Sequence, residues 1–185
     1  MSCSRYAVVP GLIVLISVGP AALAFDDTSL SGCYVTSESG QMLGPKVSVG
    51  DNGALIADSK DLVLHGIAFV GRVCFDGQGN VTELNVTQNI AGLCPATQTG
   101  SGTYSIDPIT GIGTAEATTT IAPGVASVPG CGLLGIQEGQ SATFQFTFVV
   151  GGGTCIKSMT LSATTDAGPI PIVTSGEACV QTSPE

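Results

Sequence analysis

The chain predicts an all-β fold, a single antiparallel up-and-down meander closing as a roughly eight-stranded barrel. Three observations point there. After residue 24 no stretch carries apolar residues at helical spacing, whereas period-two alternation recurs. Glycine-containing turns break that alternation repeatedly. Charged residues make up only 10% of the chain, so the surface must be built from Ser, Thr, Gly, Asn and Gln, as suits an extracellular β-protein. A run of strands must hide its edges, and closing a meander does so most simply. A β-sandwich of the same strands is the alternative.

The first 24 residues read as a secretory signal peptide. Arg5 stands in a short polar head, Ala7 to Ala24 is almost wholly apolar, and Ala22-Leu23-Ala24 offers small residues for cleavage. Pro10 and Pro20 interrupt this run, which is short for a bilayer span. Cleavage after Ala24 leaves 161 residues, 185 less the leader's 24, enough for one domain. The expected organisation is signal peptide 1–24, lead-in 25–30, disulfide-stabilised β-barrel 31–182 and tail 183–185. The expected location is secreted, either extracellular or periplasmic. Losing Arg5 with the leader takes the formal charge from −9 to −10, which argues against nucleic acid or an anionic membrane as partner.

Along the mature chain, residues 41–61, containing Asp51-Asn52-Gly53, read as short edge strands and turns. Gly66 to Asp76 is the clearest strand, with Ile67, Phe69, Val73 and Phe75 on one face. Asp76-Gly77-Gln78-Gly79-Asn80 turns it into Val81 to Ile90, where Leu84, Val86 and Ile90 alternate with polar residues. A second hairpin joins Gly102–Ile106 to Ile112–Ile121 through Asp107-Pro108-Ile109-Thr110-Gly111, with Pro at the second turn position and Gly closing it. Ala122 to Gln140, with Pro123, Pro129 and five glycines, reads as a long irregular connection, either an ordered cover or a docking loop. Phe144, Phe146 and Phe148 then line one face of a strand. Gly151-Gly152-Gly153 turns the chain, Thr154 to Thr164 returns, and a last strand near Ile170 to Val180 follows Ala167-Gly168-Pro169.

Cys3 leaves with the leader, and Cys33, Cys74, Cys94, Cys131, Cys155 and Cys179 remain, most simply as three disulfides. A final hairpin turning about Ala167 sets Cys155 opposite Cys179. Cys33 and Cys74 are roughly symmetric about Asp51-Asn52-Gly53, with too much chain between them for one clean hairpin. Cys94 and Cys131 are left to tether the long connection. The expected pairs are therefore Cys33–Cys74, Cys94–Cys131 and Cys155–Cys179. Metal-ligand spacing such as Cys-x-x-Cys is lacking, and no motif calls for a metal or a cofactor.

Catalytic signals are weak. His65 is the single histidine and Asp61 precedes it by four residues, but Gly-x-Ser-x-Gly is missing. Glu83 and Glu116 interrupt apolar or Thr-rich strands and are the acids to watch, although such residues more often mark a solvent face. The reading leans away from an enzyme. The inward face predicted for a barrel comprises Tyr34, Phe69, Phe75, Tyr104, Phe144, Phe146 and Phe148, either a filled core or a cup for an apolar small molecule.

Three strings carry a family likeness: Leu30-Ser31-Gly32-Cys33-Tyr34, Gly71-Arg72-Val73-Cys74-Phe75-Asp76-Gly77-Gln78-Gly79-Asn80-Val81, and Gly102-Thr103-Tyr104-Ser105-Ile106-Asp107 with Gly111-Ile112-Gly113-Thr114. Together they resemble secreted bacterial lipocalin-like (calycin-like) barrels, similar also to the allene oxide cyclase barrel. The resemblance implies a barrel, and no cyclase active-site residue maps onto this chain. The leading functional expectation is a secreted non-catalytic barrel that binds an apolar small molecule or serves as a surface or matrix component. Alternatives are a barrel isomerase or cyclase, and an interaction module using loop 122–140.

Overall fold

The structure is a computed structural model that describes residues 25–150, 155–166 and 168–181. The expected signal peptide at 1–24, the turn expected at Gly151–Gly153, Ala167 and the expected tail at 183–185 lie outside the described residues. The strands are β1 (Ser31–Val49), β2 (Leu55–Asp76), β3 (Asn80–Ile90), β4 (Cys94–Ile106) and β5 (Ile112–Ile121), followed by β6 (Ser141–Val149), β7 (Cys155–Thr165), β8 (Gly168–Ile170) and β9 (Ile172–Val180). Successive strands pair antiparallel from β1 to β6, β6 pairs β7, and β9 lies between β7 and β1. The sheet thus closes as an eight-stranded up-and-down barrel, and β8 is a short extra strand beside β7. No sandwich split occurs among the described residues.

Residues 41–61 depart from expectation. Instead of short edge strands they form the far half of one long hairpin, with the Gly50–Ala54 turn joining β1 to β2. Along β1 as a whole the alternation is hidden because the inward positions Thr36, Glu38, Gly40 and Gly44 are polar or lack side chains. A bulge takes up the extra chain: Pro45 faces Leu62 and the next residue, Lys46, faces Asp58. That slip resolves the count that seemed to forbid a clean hairpin, and Cys33 lies directly opposite Cys74.

All three disulfides join the expected partners, Cys33–Cys74, Cys94–Cys131 and Cys155–Cys179. Two of them are cross-strand staples, on β1–β2 and β7–β9, flanking the β1–β9 seam where the first and last strands close the barrel. Three such bonds fit an oxidising, extracellular-type environment. At the seam, Gly176 faces inward beside Glu38. A Cβ there would collide with the Ser37 carbonyl, so glycine permits the close crossing of β1 and β9.

Both barrel ends are covered. At one end a single 3-10 turn, Asp27–Ser29, leads Leu30 into the core at 1% exposure. Tyr104 Oη donates to the carbonyls of Asp27 (2.7 Å) and Leu30 (3.0 Å), and Ile106 N–H donates to Asp27 Oδ1. At the other end the 122–140 connection folds back through a 3-10 turn, Val125–Ser127, and the short helix α1 (Pro129–Leu133). Val125, Cys131 and Leu134 are buried, and the Cys94–Cys131 bond ties the cover to the start of β4. Gly130 lies so close to the Leu93 carbonyl that no Cβ fits, so this cover is pressed onto the β3–β4 turn.

Candidate functional site

Inside the barrel the alternation resolves into apolar rings with polar interruptions. The aromatic set splits into two groups. Tyr34, Phe75, Tyr104 and Phe148 pack near the lead-in end, with Phe75 edge-on to Tyr34 at 5.6 Å and to Tyr104 at 5.0 Å. Burial pushes the Tyr34 and Tyr104 hydroxyls above their ordinary pKa of 10.0. Phe69, Phe144 and Phe146 sit in the middle, where Phe144 is edge-on to Phe69 and stacked on Phe146. Phe146 is only half-buried, while the other six predicted inward aromatics are buried.

Packing is incomplete in the middle. A cavity of about 70 Å³ lies among Phe69, Leu84, Ala117, Phe144, Phe148 and Ile156. A second, of about 40 Å³, lies towards the 122–140 cover, between Met42, Ile90, Ile136 and Ile172. Phe144 and Gln98 border both, so they form the partition between the chambers. Of the seven predicted aromatics, five line the first cavity (Phe69, Phe75, Phe144, Phe146 and Phe148); Tyr34 and Tyr104 line neither.

Two polar features interrupt these walls. One is Glu38, 8% exposed, pointing inward from β1 into the first cavity. Ser158 Oγ donates to its Oε1 at 2.6 Å, while Thr160 and Thr174 donate to its Oε2. The register explains the cluster: Thr160 of β7 faces Thr174 of β9, and β9 pairs with β1. The other feature is a chain of amides. Gln98 Nε2 donates to Gln88 Oε1 at 3.1 Å, and Thr119 Oγ1 donates to Gln98 Oε1 at 2.6 Å. Gln98 is 1% exposed and Gln88 4%. Buried polar atoms that hydrogen-bond one another cost little, and such chains fix rotamers.

The acids singled out from sequence lie elsewhere. Glu83 is on the outer face, held by Arg72 Nη2 at 2.6 Å, and exposed Glu116 accepts from Gln145 Nε2. His65 is buried at the middle of β2, its Nε2 2.8 Å from the Pro45 carbonyl, and borders neither cavity. None of these three enters the chamber, whereas Glu38, embedded in the polar string Thr36-Ser37-Glu38-Ser39, does. Its signal was phase: residues 34, 36, 38, 40 and 42 share one strand face, and Tyr34 and Met42 mark that face as inward. The 122–140 connection turns its apolar side chains into the barrel rather than displaying them. The described residues contain no group of three or more His, Cys, Asp or Glu placed to hold a metal ion. No family model, curated protein or solved structure matches the chain.

Proposed function

We propose that this chain is a secreted, non-catalytic, lipocalin-like β-barrel that holds a small apolar molecule in its interior. The observation that carries this reading is the apolar chamber at the barrel's centre, covered at one end by the lead-in and at the other by the disulfide-tethered 122–140 connection. Unfilled apolar space lowers stability, because the walls lose contacts that close packing would supply. A chamber of about 70 Å³ is roughly half the size of one that takes up benzene, which is about 150 Å³. It therefore suits a molecule of a few heavy atoms, and a longer one only if Phe144 turns aside to join the second chamber. The barrel is mainly apolar inside, and on β3, β4 and β5 its outer face carries mainly Thr, Ser and Asn. A membrane-spanning barrel has the opposite arrangement, so this pattern supports a water-surrounded barrel.

A second reading, a surface or matrix component with no ligand, is favoured by the Tyr34–Phe75–Tyr104–Phe148 cluster, which fills one end of the interior. Native mass spectrometry of the protein purified from its own host's medium separates the two. A mass excess that disappears on denaturation supports the binding reading. A bare mass, lighter than the reduced chain only by the hydrogens lost in forming three disulfides, supports the structural one.

A further inference from the structure

The chamber contains a carboxylate with no cationic partner. Four basic side chains lie among the described residues: Lys46 pairs with Asp61, Arg72 pairs with Glu83, and Lys60 and Lys157 are exposed. None of them borders either cavity. Buried carboxylates are ordinarily paired with a cation, because neutral donors replace only part of the lost hydration. Here the donors to Glu38 are the hydroxyls of Ser158, Thr160 and Thr174, all neutral.

The hydrogen-bond count leaves Glu38 one donor short of a full set. A carboxylate accepts about four hydrogen bonds. Oε2 takes two from the threonines, while Oε1 takes one, from Ser158, and keeps one acceptor position. Thr36, the next inward residue of β1, also borders the cavity and is 7% exposed. Thr36, Glu38 and Ser158 thus bring three oxygen-bearing side chains to the border of the chamber, whose other polar members are Gln98, Thr119 and Thr160 among mainly apolar neighbours.

Resting on the binding reading above, we propose that the occupant is a short primary amine, its ammonium group donating to Glu38, Thr36 and Ser158 and its alkyl tail lying against Phe69, Ala117 and Phe144. Three N–H donors match three oxygen-bearing side chains, and the ammonium supplies the missing charge. A quaternary ammonium has no N–H to donate. By scaling from the benzene-sized cavity, the volume limits the amine to about three or four heavy atoms.

The test uses the disulfide-bonded protein with n-propylamine, propan-1-ol and propane as probes, following the methyl NMR signals of Ala115 and Ala117 on the cavity wall. The expected result is saturable binding of propylamine, about tenfold or more tighter than propan-1-ol. Glu38→Gln should abolish that preference while leaving the alcohol's affinity within about threefold. Thr36→Val should lower it by a smaller factor, and it carries the test alone if the Glu38 variant does not fold. Equal affinity for the amine and its neutral counterparts, or an unchanged preference in the folded Glu38 variant, overturns the amine assignment and leaves the binding reading standing. If Thr36→Val carries the test, an unchanged preference there overturns the assignment likewise. If no probe binds, the binding reading falls, and the assignment with it.

Discussion

Replacing Glu38 by leucine should cost about 3–5 kcal/mol of stability, and the structure says why. The side chains are similar in size, so little packing is lost. What remains is a set of hydroxyls without their acceptor. Thr160 and Thr174 are each 1% exposed, too buried for bulk water to compensate. A buried donor stripped of its partner costs about 1–3 kcal/mol, so two give about 2–6, and half-buried Ser158 adds less. The companion variant is more informative. Glu38→Leu with Thr160→Val and Thr174→Val removes donors and acceptor together, and should recover to within about 1.5 kcal/mol of the parent. Equilibrium unfolding in guanidinium chloride, with the disulfides intact, measures both. A single variant losing less than about 1 kcal/mol, or a triple variant no better than the single, would refute the claim that these hydroxyls depend on the carboxylate.

Three further outcomes follow from other parts of the molecule. Substituting Cys94 and Cys131 together by serine opens a bridge spanning 37 residues and should cost about 4 kcal/mol by the chain-entropy relation; hydrogen exchange should show the 122–140 cover loosening first. Ala91 sits at φ 55° before Gly92 in the tight turn from β3 to β4, a left-handed conformation costly for alanine, so Ala91→Asn should raise stability by about 1 kcal/mol in thermal unfolding. Backbone N–H groups of Thr110 and Ile109 donate to the Asp107 carboxylate and hold it below its ordinary value of 3.8. Its folded-state pKa is depressed, so its contribution is present above 3.8 and is lost as pH falls through that value and then through the folded one. Asp107→Asn should therefore flatten the acid limb of a stability–pH curve, and an unchanged limb would count against that turn's role.

Much of the architecture was legible because local chemistry agreed with the global fold. Asp107-Pro108 with Gly111 specifies its turn unaided: Asp107 caps it, and Gly111 takes φ 68° to close it. The Cys155–Cys179 pair follows from counting outwards from a turn, since antiparallel register is arithmetic. The same arithmetic stumbled on Cys33 and Cys74, because the bulge at Pro45/Lys46 adds residues to one strand only. The interior carboxylate was missed for a different reason. Period-two reading looks for apolar residues, and β1 presents Thr36, Glu38 and Gly40 inward, so the strand looks like a loop. Its polar inward residues make sense only beside Ser158, Thr160 and Thr174, more than a hundred residues away. The lead-in is similar. Leu30 becomes a plug only because Tyr104 holds the carbonyls of Asp27 and of Leu30 itself, the latter across 74 residues.

On the proposed function, the barrel encloses an apolar chamber able to receive a small guest. Dissolved xenon tests this most directly, because it enters dry apolar cavities without needing any polar partner. Methyl NMR under xenon pressure should show saturable shifts for Val86, Ala115, Ala117 and Ile156, which border the first chamber. Val49 and Ile56, exposed on the projecting β1–β2 hairpin, should show only weak, linear drift. Shifts at the interior methyls that never saturate, or that match those at the surface, would mean a filled interior and would contradict the account.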